Sequence, residues 1–119
     1  METSAVQSLK LTLLHATGLS KDALHIHVGL FIFFVVALAA RKRVGNALPL
    51  VAVLVAAVTG ELFDMRDDLR SLGHWRWTAS LHDIVNTVAW PVAISALART
   101  WLITLKDDRA LRSRDQSDR

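Results

Sequence analysis

Acidic, imidazole and amide side chains gather in this sequence at the ends of long apolar stretches. Glu61 and Asp64 are three residues apart, and His82, Asp83 and Asn86 follow after a polar connection. Residues three or four apart share one face of a helix, so each set can present its side chains together. Carboxylates that lie close together drive one another's pKa values apart, as general acid and base chemistry requires. Glu61 and Asp83 are therefore the candidate catalytic residues.

Further side chains are candidates for binding a polar substrate beside this carboxylate pair. Arg76 would bind an anionic group, and Asn86 would orient one of the carboxylates. Ionisable groups at the depth of a membrane are costly, so they normally face the interior of a helix bundle or a watery cavity. The candidate substrate-binding residues are Arg76, Asn86, His82 and Asp64.

Each of these groups also has a purely structural interpretation. Glu61 and Asp64 can lie among lipid headgroups and pair with a nearby arginine. Asp83 can serve as a favourable negative charge or a cap at the start of a helix. Asn86 can hydrogen-bond to another helix, because an amide within an apolar segment needs a partner there. The nearby arginines are Arg66, Arg70 and Arg76.

The histidines offer a metal site as an alternative. His25 and His27 are two residues apart, and side chains at that spacing point about 200° from each other on a helix, so they cannot easily share one ion. One of them would have to face Glu61 and His82 instead. Cysteine is absent, which removes disulfides and thiolate ligands. We expect no cofactor, with a metal at His25, His27 and His82 as the alternative.

Three apolar stretches must position these groups. The stretches lie at about residues 23–40, 47–63 and 84–105. The first two are largely apolar on every side of a helix, which requires either a large protein interior or lipid. A chain of 119 residues that is 52% hydrophobic is too short to bury such helices by itself. Because a transmembrane helix needs about 20 residues, we predict an all-α integral membrane protein. It would form a single membrane domain over residues 1–119, with three transmembrane helices.

Shorter segments precede, connect and follow these stretches. Residues 1–19 are predicted to form an amphipathic helix at the membrane interface. Gly18 would end this helix, and Ser20 would cap the next one. Residues 64–82 are interpreted as a polar connection, and residues 106–119 as a solvated cytoplasmic tail that can extend the last helix.

The two prolines agree with this arrangement. Pro49 falls in the first turn of the second stretch, where its missing N–H group costs least. Pro91 lies inside the third stretch, where its ring conflicts with the carbonyl group of Thr87 and should kink the helix.

Basic residues indicate the orientation of the chain in a membrane. Residues 41–43 are all basic, and the segment after Leu105 is rich in arginine. By the positive-inside rule both segments face the cytoplasm, which leaves the N-terminus outside. We therefore expect a multi-pass protein of the bacterial inner (plasma) membrane. The net charge of +3 is concentrated at the ends of apolar stretches, so we expect no nucleic-acid partner.

The segment from residue 60 to residue 87 resembles the VanZ-like membrane proteins. It contains Gly-Glu-Leu-Phe at 60–63 and Arg-Trp-Thr-Ala-Ser-Leu-His-Asp-Ile-Val-Asn-Thr at 76–87. The VanZ-like pattern places an acid at the end of one span, an arginine in the connection, and an aspartate and then an asparagine at the start of the next span. The resemblance implies a role near envelope lipids or cell-wall precursors. The matching positions are Glu61, Arg76, Asp83 and Asn86.

These observations leave two functions in competition. The first is an accessory or structural subunit of a membrane assembly or homo-oligomer, in which Glu61 and Asn86 fasten helices together. The alternative is a VanZ-like site at the outer leaflet that binds or processes a polar lipid or a cell-wall precursor. Proton passage through His25, Glu61 and His82 is disfavoured, because no ionisable residue continues the path to Arg99. Membrane lipids and other membrane subunits are the expected partners.

Overall fold

The computed structural model of the protein describes residues 5–117, and every regular element among them is an α-helix. Helix α1 spans Ala5–Thr17 and α2 spans Lys21–Ala39. Helix α3 spans Ala47–Ser71 and α4 spans Trp77–Ser117. The prediction of an all-α protein is confirmed for these residues. Helices α2, α3 and α4 are each long and apolar enough to cross a membrane.

The helix ends follow from the local sequence. Gly18, with φ +66°, ends α1, because glycine adopts this left-handed conformation without steric cost. The Ser20 hydroxyl accepts a hydrogen bond from the Ala23 N–H group at 3.2 Å and caps α2. The Asn46 side chain accepts one from the Leu48 N–H group at 2.9 Å and caps α3. The predicted roles of Gly18 and Ser20 are confirmed.

The segment interpreted as a polar connection, residues 64–82, is helical for most of its length. Helix α3 continues to Ser71 and α4 begins at Trp77, so only residues 72–76 lie between them. The apolar pattern ends where a helix would leave lipid, but a charged segment without glycine or proline continues a helix readily. Gly73, with φ +75°, lies just past the end of α3.

Helix α4 extends well beyond the third apolar stretch at residues 84–105. Its 41 residues correspond to about 60 Å of helix. The described part of the predicted tail, residues 106–117, is therefore helical, and residues 106–114, 116 and 117 are exposed. It holds no glycine or proline, and Asp108 precedes Arg112 by four residues, a spacing that stabilises a helix. The helix also continues through Pro91.

Helices α2, α3 and α4 pack along one another as an elongated bundle, whereas α1 buries no residue. Large apolar side chains face outward, as Phe31 and Leu38 do with 69% and 81% exposure. Outward apolar surface on this scale marks an interaction surface for lipid or protein rather than a water-facing one. The structure measures 78 × 27 × 23 Å along its principal axes. The buried apolar side chains are Phe33, Ala37, Val53 and Ala57.

Two of these helices approach each other closely at one glycine. A Cβ atom added to Gly29 of α2 would collide with the backbone carbonyl oxygen of Thr87 in α4. Pro91 has no N–H group, so it leaves this carbonyl without the donor that the residue four positions later normally supplies. The Cα–H group of Gly29 therefore faces the Thr87 carbonyl in a weak C–H···O contact. Glycine at position 29 is what allows α2 to pack against α4 at this level.

Candidate functional site

A polar cluster to which three helices contribute lies at one end of the bundle. We define the three-helix cluster as Lys21 and His25 of α2, Glu61 of α3 and Asp83 of α4. Lys21 Nζ lies 2.6 Å from Asp83 Oδ2. His25 Nδ1 lies 3.6 Å from Asp83 Oδ1, and His25 Nε2 lies 4.0 Å from Glu61 Oε1. The two candidate catalytic carboxylates are thus brought to the same imidazole, and both residues are buried.

Helical periodicity explains why these carboxylates point inward. Glu61 continues the buried stripe of α3 that Val53 and Ala57 form at intervals of four residues. Asp83 is buried on the same face of α4 as Thr87, four residues later. Each carboxylate therefore occupies a core position of its helix, at the end where the apolar core gives way to polar side chains.

The imidazole of His25 lies between two carboxylates, with one facing each ring nitrogen. Both distances exceed the range of a hydrogen bond, and the buried Nδ1 atom has no hydrogen-bond partner among the described residues. A small rotation would let the neutral ring donate to one carboxylate, and a protonated ring could donate to both. The cluster has two carboxylates and one ammonium group, so one added proton on His25 or Glu61 would make it neutral. The cluster thus places one imidazole, a group that can accept or donate a proton, between two carboxylates.

Asp64 lies outside the three-helix cluster and is held by α1. Lys10 Nζ lies 2.6 Å from each carboxylate oxygen of Asp64. This pair fastens the N-terminal helix to α3 and uses the carboxylate that we considered for substrate binding. No role for Lys10 was predicted from the sequence. Lys10 is the only lysine of α1, and that helix carries no acid to pair with it, which was the available signal for a partner on another helix.

Arg76 also binds elsewhere than beside the candidate catalytic pair. Its Nη2 atom lies 2.8 Å from Asp68 Oδ1, and its Nε atom lies 3.1 Å from Asp68 Oδ2. Hydrogen bonding to this carboxylate raises the pKa of the Arg76 guanidinium and holds the loop of residues 72–76 against α3. Arg76 was expected to lie beside Glu61 and Asp83 but does not bind them. The last turns of α3, which the sequence did not predict, place Asp68 closer to it.

His82 and Asn86 form a local pair on α4. Asn86 Nδ2 and His82 Nδ1 are 3.3 Å apart, and His82 Nδ1 lies 3.7 Å from Asp22 Oδ1 of α2. Asn86 therefore makes this side-chain hydrogen bond within its own helix, and the described residues show none from it to another helix of this chain. Neither side chain contacts the carboxylates of Glu61 and Asp83 through a hydrogen bond among the described residues.

Two groups of side chains bring possible metal ligands together. One ligand atom each from His25, Glu61 and Asp83 lies within 4.8 Å of the others, and Asp22, His82 and Asp83 form a second such group. One imidazole and two carboxylates are a donor set that zinc, manganese and iron accept. In the first group the ammonium of the three-helix cluster competes with a metal ion for Asp83.

The metal alternative built on His25, His27 and His82 is not assembled. His27 is exposed, and its Nδ1 atom lies 2.7 Å from the Ala23 carbonyl oxygen of the preceding turn. His25 faces the interior of the bundle, while His82 faces Asp22. The two-residue spacing sends the first two rings to different faces of α2, as helix geometry requires.

An apolar recess opens beside the three-helix cluster, between the end of α3 and the start of α4. Its volume is about 380 Å³, and Glu61 and Ser80 contribute polar atoms to its wall. Trp75 Nε1 donates to the Ser80 hydroxyl at 3.0 Å, which holds the indole ring at the recess. An apolar recess with one or two polar groups suits an amphiphilic ligand. The other lining residues are Val58, Leu62, Trp77, Leu81 and Ile84.

Comparison with known proteins gives no match for this chain. No protein-family model matches it, and no curated protein or solved structure does so either. The VanZ-like resemblance therefore depends only on the residues of segment 60–87, and the function has to be inferred from the geometry of the chain itself.

Proposed function

We propose that this chain is a small multi-pass membrane protein that acts as an accessory or structural subunit of a membrane assembly or homo-oligomer. The observation that supports the proposal is that acids at the polar end of the bundle, where the three-helix cluster lies, are bound by cations of the same chain. Three of these acids are each bound by a cation from a different segment of the chain. Carboxylates bound in this way hold elements together and are not free to bind a substrate.

Each of these ion pairs joins two parts of the fold. Contacts between polar side chains stabilise helix association in lipid, where apolar contacts between helices gain nothing from the exclusion of water. Without Lys21, the buried carboxylate of Asp83 would lose its cation, which is costly at a low dielectric. The pairs are Lys10–Asp64 between α1 and α3, Lys21–Asp83 between α2 and α4, and Arg76–Asp68 between the loop and α3.

Helix geometry supports a membrane location for the bundle. About 24 Å of helix separates Asp83 from Arg99 on α4, and the hydrocarbon layer of a bilayer is about 30 Å thick. The three-helix cluster and the basic residues around 41–43 therefore lie near opposite edges of that layer. We place the protein in the bacterial inner (plasma) membrane, with the basic end in the cytoplasm and α1 outside.

One face of α4 is suited to a partner within the membrane. Ala89, Ala93 and Ala96 are exposed on this face at spacings of four and three residues. Small residues at such spacings let two helices approach closely. Trp90 and Leu97 flank the face and are 55% and 69% exposed. A second copy of the chain or another membrane subunit would pack here.

The number of chains per complex in a lipid bilayer tests this proposal. The variant Ser113→Cys can be labelled with a dye and reconstituted into liposomes, where photobleaching steps count the chains in each complex. Native mass spectrometry of membrane extracts would reveal a different subunit present at fixed stoichiometry. We expect Ala93→Leu to weaken the assembly, whereas Ala39→Leu, at an exposed position of α2, leaves it intact. A lone monomer in both measurements contradicts the proposal.

The apolar recess supports a second candidate function. The Glu61 carboxylate lies in its wall, and Trp75 and Trp77 line it. Tryptophan is typical of the headgroup level of a membrane, so a lipid chain in the recess would place its polar end near Glu61. This arrangement agrees with the VanZ-like resemblance, which implies a site for a polar lipid or cell-wall precursor. His25, whose Nε2 atom lies 4.0 Å from Glu61 Oε1, would then exchange a proton with that carboxylate.

Filling the recess tests this second function. Ile84→Trp adds bulk inside the recess, and Val85→Trp adds the same side chain at a position that is 54% exposed. The lipids that remain bound to each protein can be identified by mass spectrometry after purification in nanodiscs. We expect the native protein and Val85→Trp to retain a lipid that Ile84→Trp and Glu61→Gln lose. Equal retention by all of these proteins would argue against a binding site.

A further inference from the structure

The end of the bundle opposite the three-helix cluster carries a second polar site. We propose that a basic recess at this end binds the phosphate of an anionic phospholipid headgroup. The recess lies between the α2–α3 loop and α4 and has a volume of about 340 Å³. The proposal depends on the membrane location given above but not on assembly or on lipid processing. The basic recess is defined by Arg41, Lys42, Arg43, Gly45, Asn46, Arg99 and Leu102.

Cations converge on this recess without an acid to balance them. Arg41, Lys42, Arg43 and Arg99 form no ion pair with any acid whose side chain the structure describes, and no carboxylate lines the recess. Like charges that share a recess repel one another, and the repulsion is stronger at the edge of a membrane than in bulk water. A phosphate group would remove this repulsion and accept charge-assisted hydrogen bonds from the guanidinium groups.

Arg41 occupies a backbone position that favours glycine. Its φ angle is +51°. Its own N–H group binds the Leu38 carbonyl at 3.1 Å, and the N–H group of Lys42 binds the Ala37 carbonyl at 2.9 Å. These bonds form a Schellman motif, in which the left-handed residue is usually glycine. Because a side chain in this conformation is strained, an arginine here indicates a use for its guanidinium beyond ending the helix.

Arg99 fixes the loop to α4 and leaves donors available for a ligand. Its Nε atom donates to the Gly45 carbonyl at 2.7 Å, and no hydrogen bond among the described residues uses its Nη atoms. Gly45 permits this approach, because a Cβ atom there would lie only 3.1 Å from Arg99 Cγ. The loop cations and the Arg99 Nη groups therefore line one recess whose shape is held by a backbone contact.

The surroundings of the recess favour a lipid over a free phosphate ion. Leu102 lines the recess itself, and the neighbouring Trp101 is 66% exposed. Leu38, just before the loop, is 81% exposed. A phospholipid can place its phosphate in the recess and its acyl chains along these apolar side chains. Inorganic phosphate can use only the charged part of the site.

Ligand titration of the purified full-length chain tests the proposal. Short-chain phosphatidylglycerol, short-chain phosphatidylcholine and inorganic phosphate would each be added in mild detergent and followed by native mass spectrometry. We expect phosphatidylglycerol to bind most tightly. Removing one recess cation, by Arg41→Gly or Arg43→Gln, should weaken its binding about fivefold. Arg109→Gln removes an exposed cation of the α4 extension and should leave binding unchanged.

The variant Arg41→Gly separates lipid binding from folding. Glycine relieves the left-handed strain, so the melting temperature should rise while phosphatidylglycerol binding falls. Native binding in both Arg41→Gly and Arg43→Gln overturns the proposal, as does equal binding of the two phospholipids. Inorganic phosphate that binds as tightly as phosphatidylglycerol overturns the assignment to a lipid. If the subunit count shows only monomers, that result contradicts the proposed assembly. It does not bear on the lipid proposal, which the titration tests separately.

Discussion

The two charges of the Lys21–Asp83 pair differ in their access to water. The Asp83 side chain is 5% exposed, whereas that of Lys21 is 48% exposed. A lysine that loses its partner can extend its ammonium group to water along an apolar surface. The aspartate has no such route, and a buried acid without its cation is left with its full desolvation cost. Removing the lysine should therefore be more damaging than removing the acid.

Substitutions of this pair give a prediction in which a second substitution should restore the stability that the first one loses. Lys21→Met should lower the free energy of unfolding by about 1–3 kcal/mol, because it leaves Asp83 buried and unpaired. The double variant Lys21→Met/Asp83→Asn should recover most of this loss, since position 83 then carries no unpaired charge. Unfolding of the purified proteins in detergent measures both effects. Lys106→Met, on the exposed extension of α4, should change stability by less than about 0.5 kcal/mol.

If the double variant is no more stable than Lys21→Met, the ion pair is not what holds α2 to α4 at this level. The same result would remove one of the three ion pairs that support a structural role for the polar end. The loss in Lys21→Met would then have to come from the packing of the lysine stem.

At the level of side chains, the sequence predicted the site in part. Glu61 and Asp83 share a depth and each occupies a core face, and the structure brings both to His25. Arg76 and Asn86 were expected beside them but bind nearer partners on α3 and α4. Spacing along a helix identifies which side chains share a face. It does not determine which of two reachable partners a long or flexible side chain takes.

Among the helices, the contact of α2 with α4 depends on a glycine and a proline that face each other. Pro91 leaves the Thr87 carbonyl without its helical donor, and Gly29 packs against that carbonyl. From the sequence, Pro91 was expected only to kink α4. A lone glycine among large apolar residues of α2 was the signal for a close approach, but its partner could be found only from the packing.

Alanine substitutions at two glycines test this contact. Gly29→Ala should destabilise the bundle by about 1–3 kcal/mol, because the new methyl group forces α2 and α4 apart. Gly60→Ala is the matched control, since a Cβ atom there meets nothing within 4 Å. It should leave stability unchanged or raise it by about 1 kcal/mol through better helix propensity. Equal unfolding free energies for the two variants would contradict the close approach.

Helix α1 depends on the rest of the fold in a different way. It buries no residue, and Lys10 binds Asp64 of α3 at 2.6 Å. Lys10→Met should therefore release α1 without unfolding α2, α3 and α4. Limited proteolysis would show faster cleavage within residues 5–17 while the melting temperature of the bundle stays within a few degrees. Lys106→Met should alter neither measurement, and unchanged cleavage in Lys10→Met would show that α1 is held by other contacts.

Over the whole molecule, the sequence predicted which segments form long apolar helices better than it predicted where those helices end. The second and third apolar stretches lie inside α3 and α4, and the first lies inside α2 except for Ala40, its C-cap residue. The continuation of α3 to Ser71 was not predicted, because hydropathy indicates only the length of helix that lipid can cover. Backbone hydrogen bonding continues a helix beyond that length wherever no glycine or proline stops it. The result is a bundle with a polar cluster at one end, a basic recess at the other and a helical extension beyond it.

The two ends of the bundle differ in their side chains, so the orientation of the chain in a membrane can be tested by labelling each end. The sequence has no cysteine, so an introduced cysteine is the only thiol in the chain. His74→Cys places a thiol in the exposed loop beside the polar end, and Ser113→Cys places one on the exposed extension of α4. The basic residues predict that the extension faces the cytoplasm. A membrane-impermeant maleimide should therefore label His74→Cys in intact cells and Ser113→Cys only after permeabilisation. Labelling of the two variants in the opposite order would reverse the orientation and place the basic recess at the outer leaflet, where the positive-inside rule does not expect it.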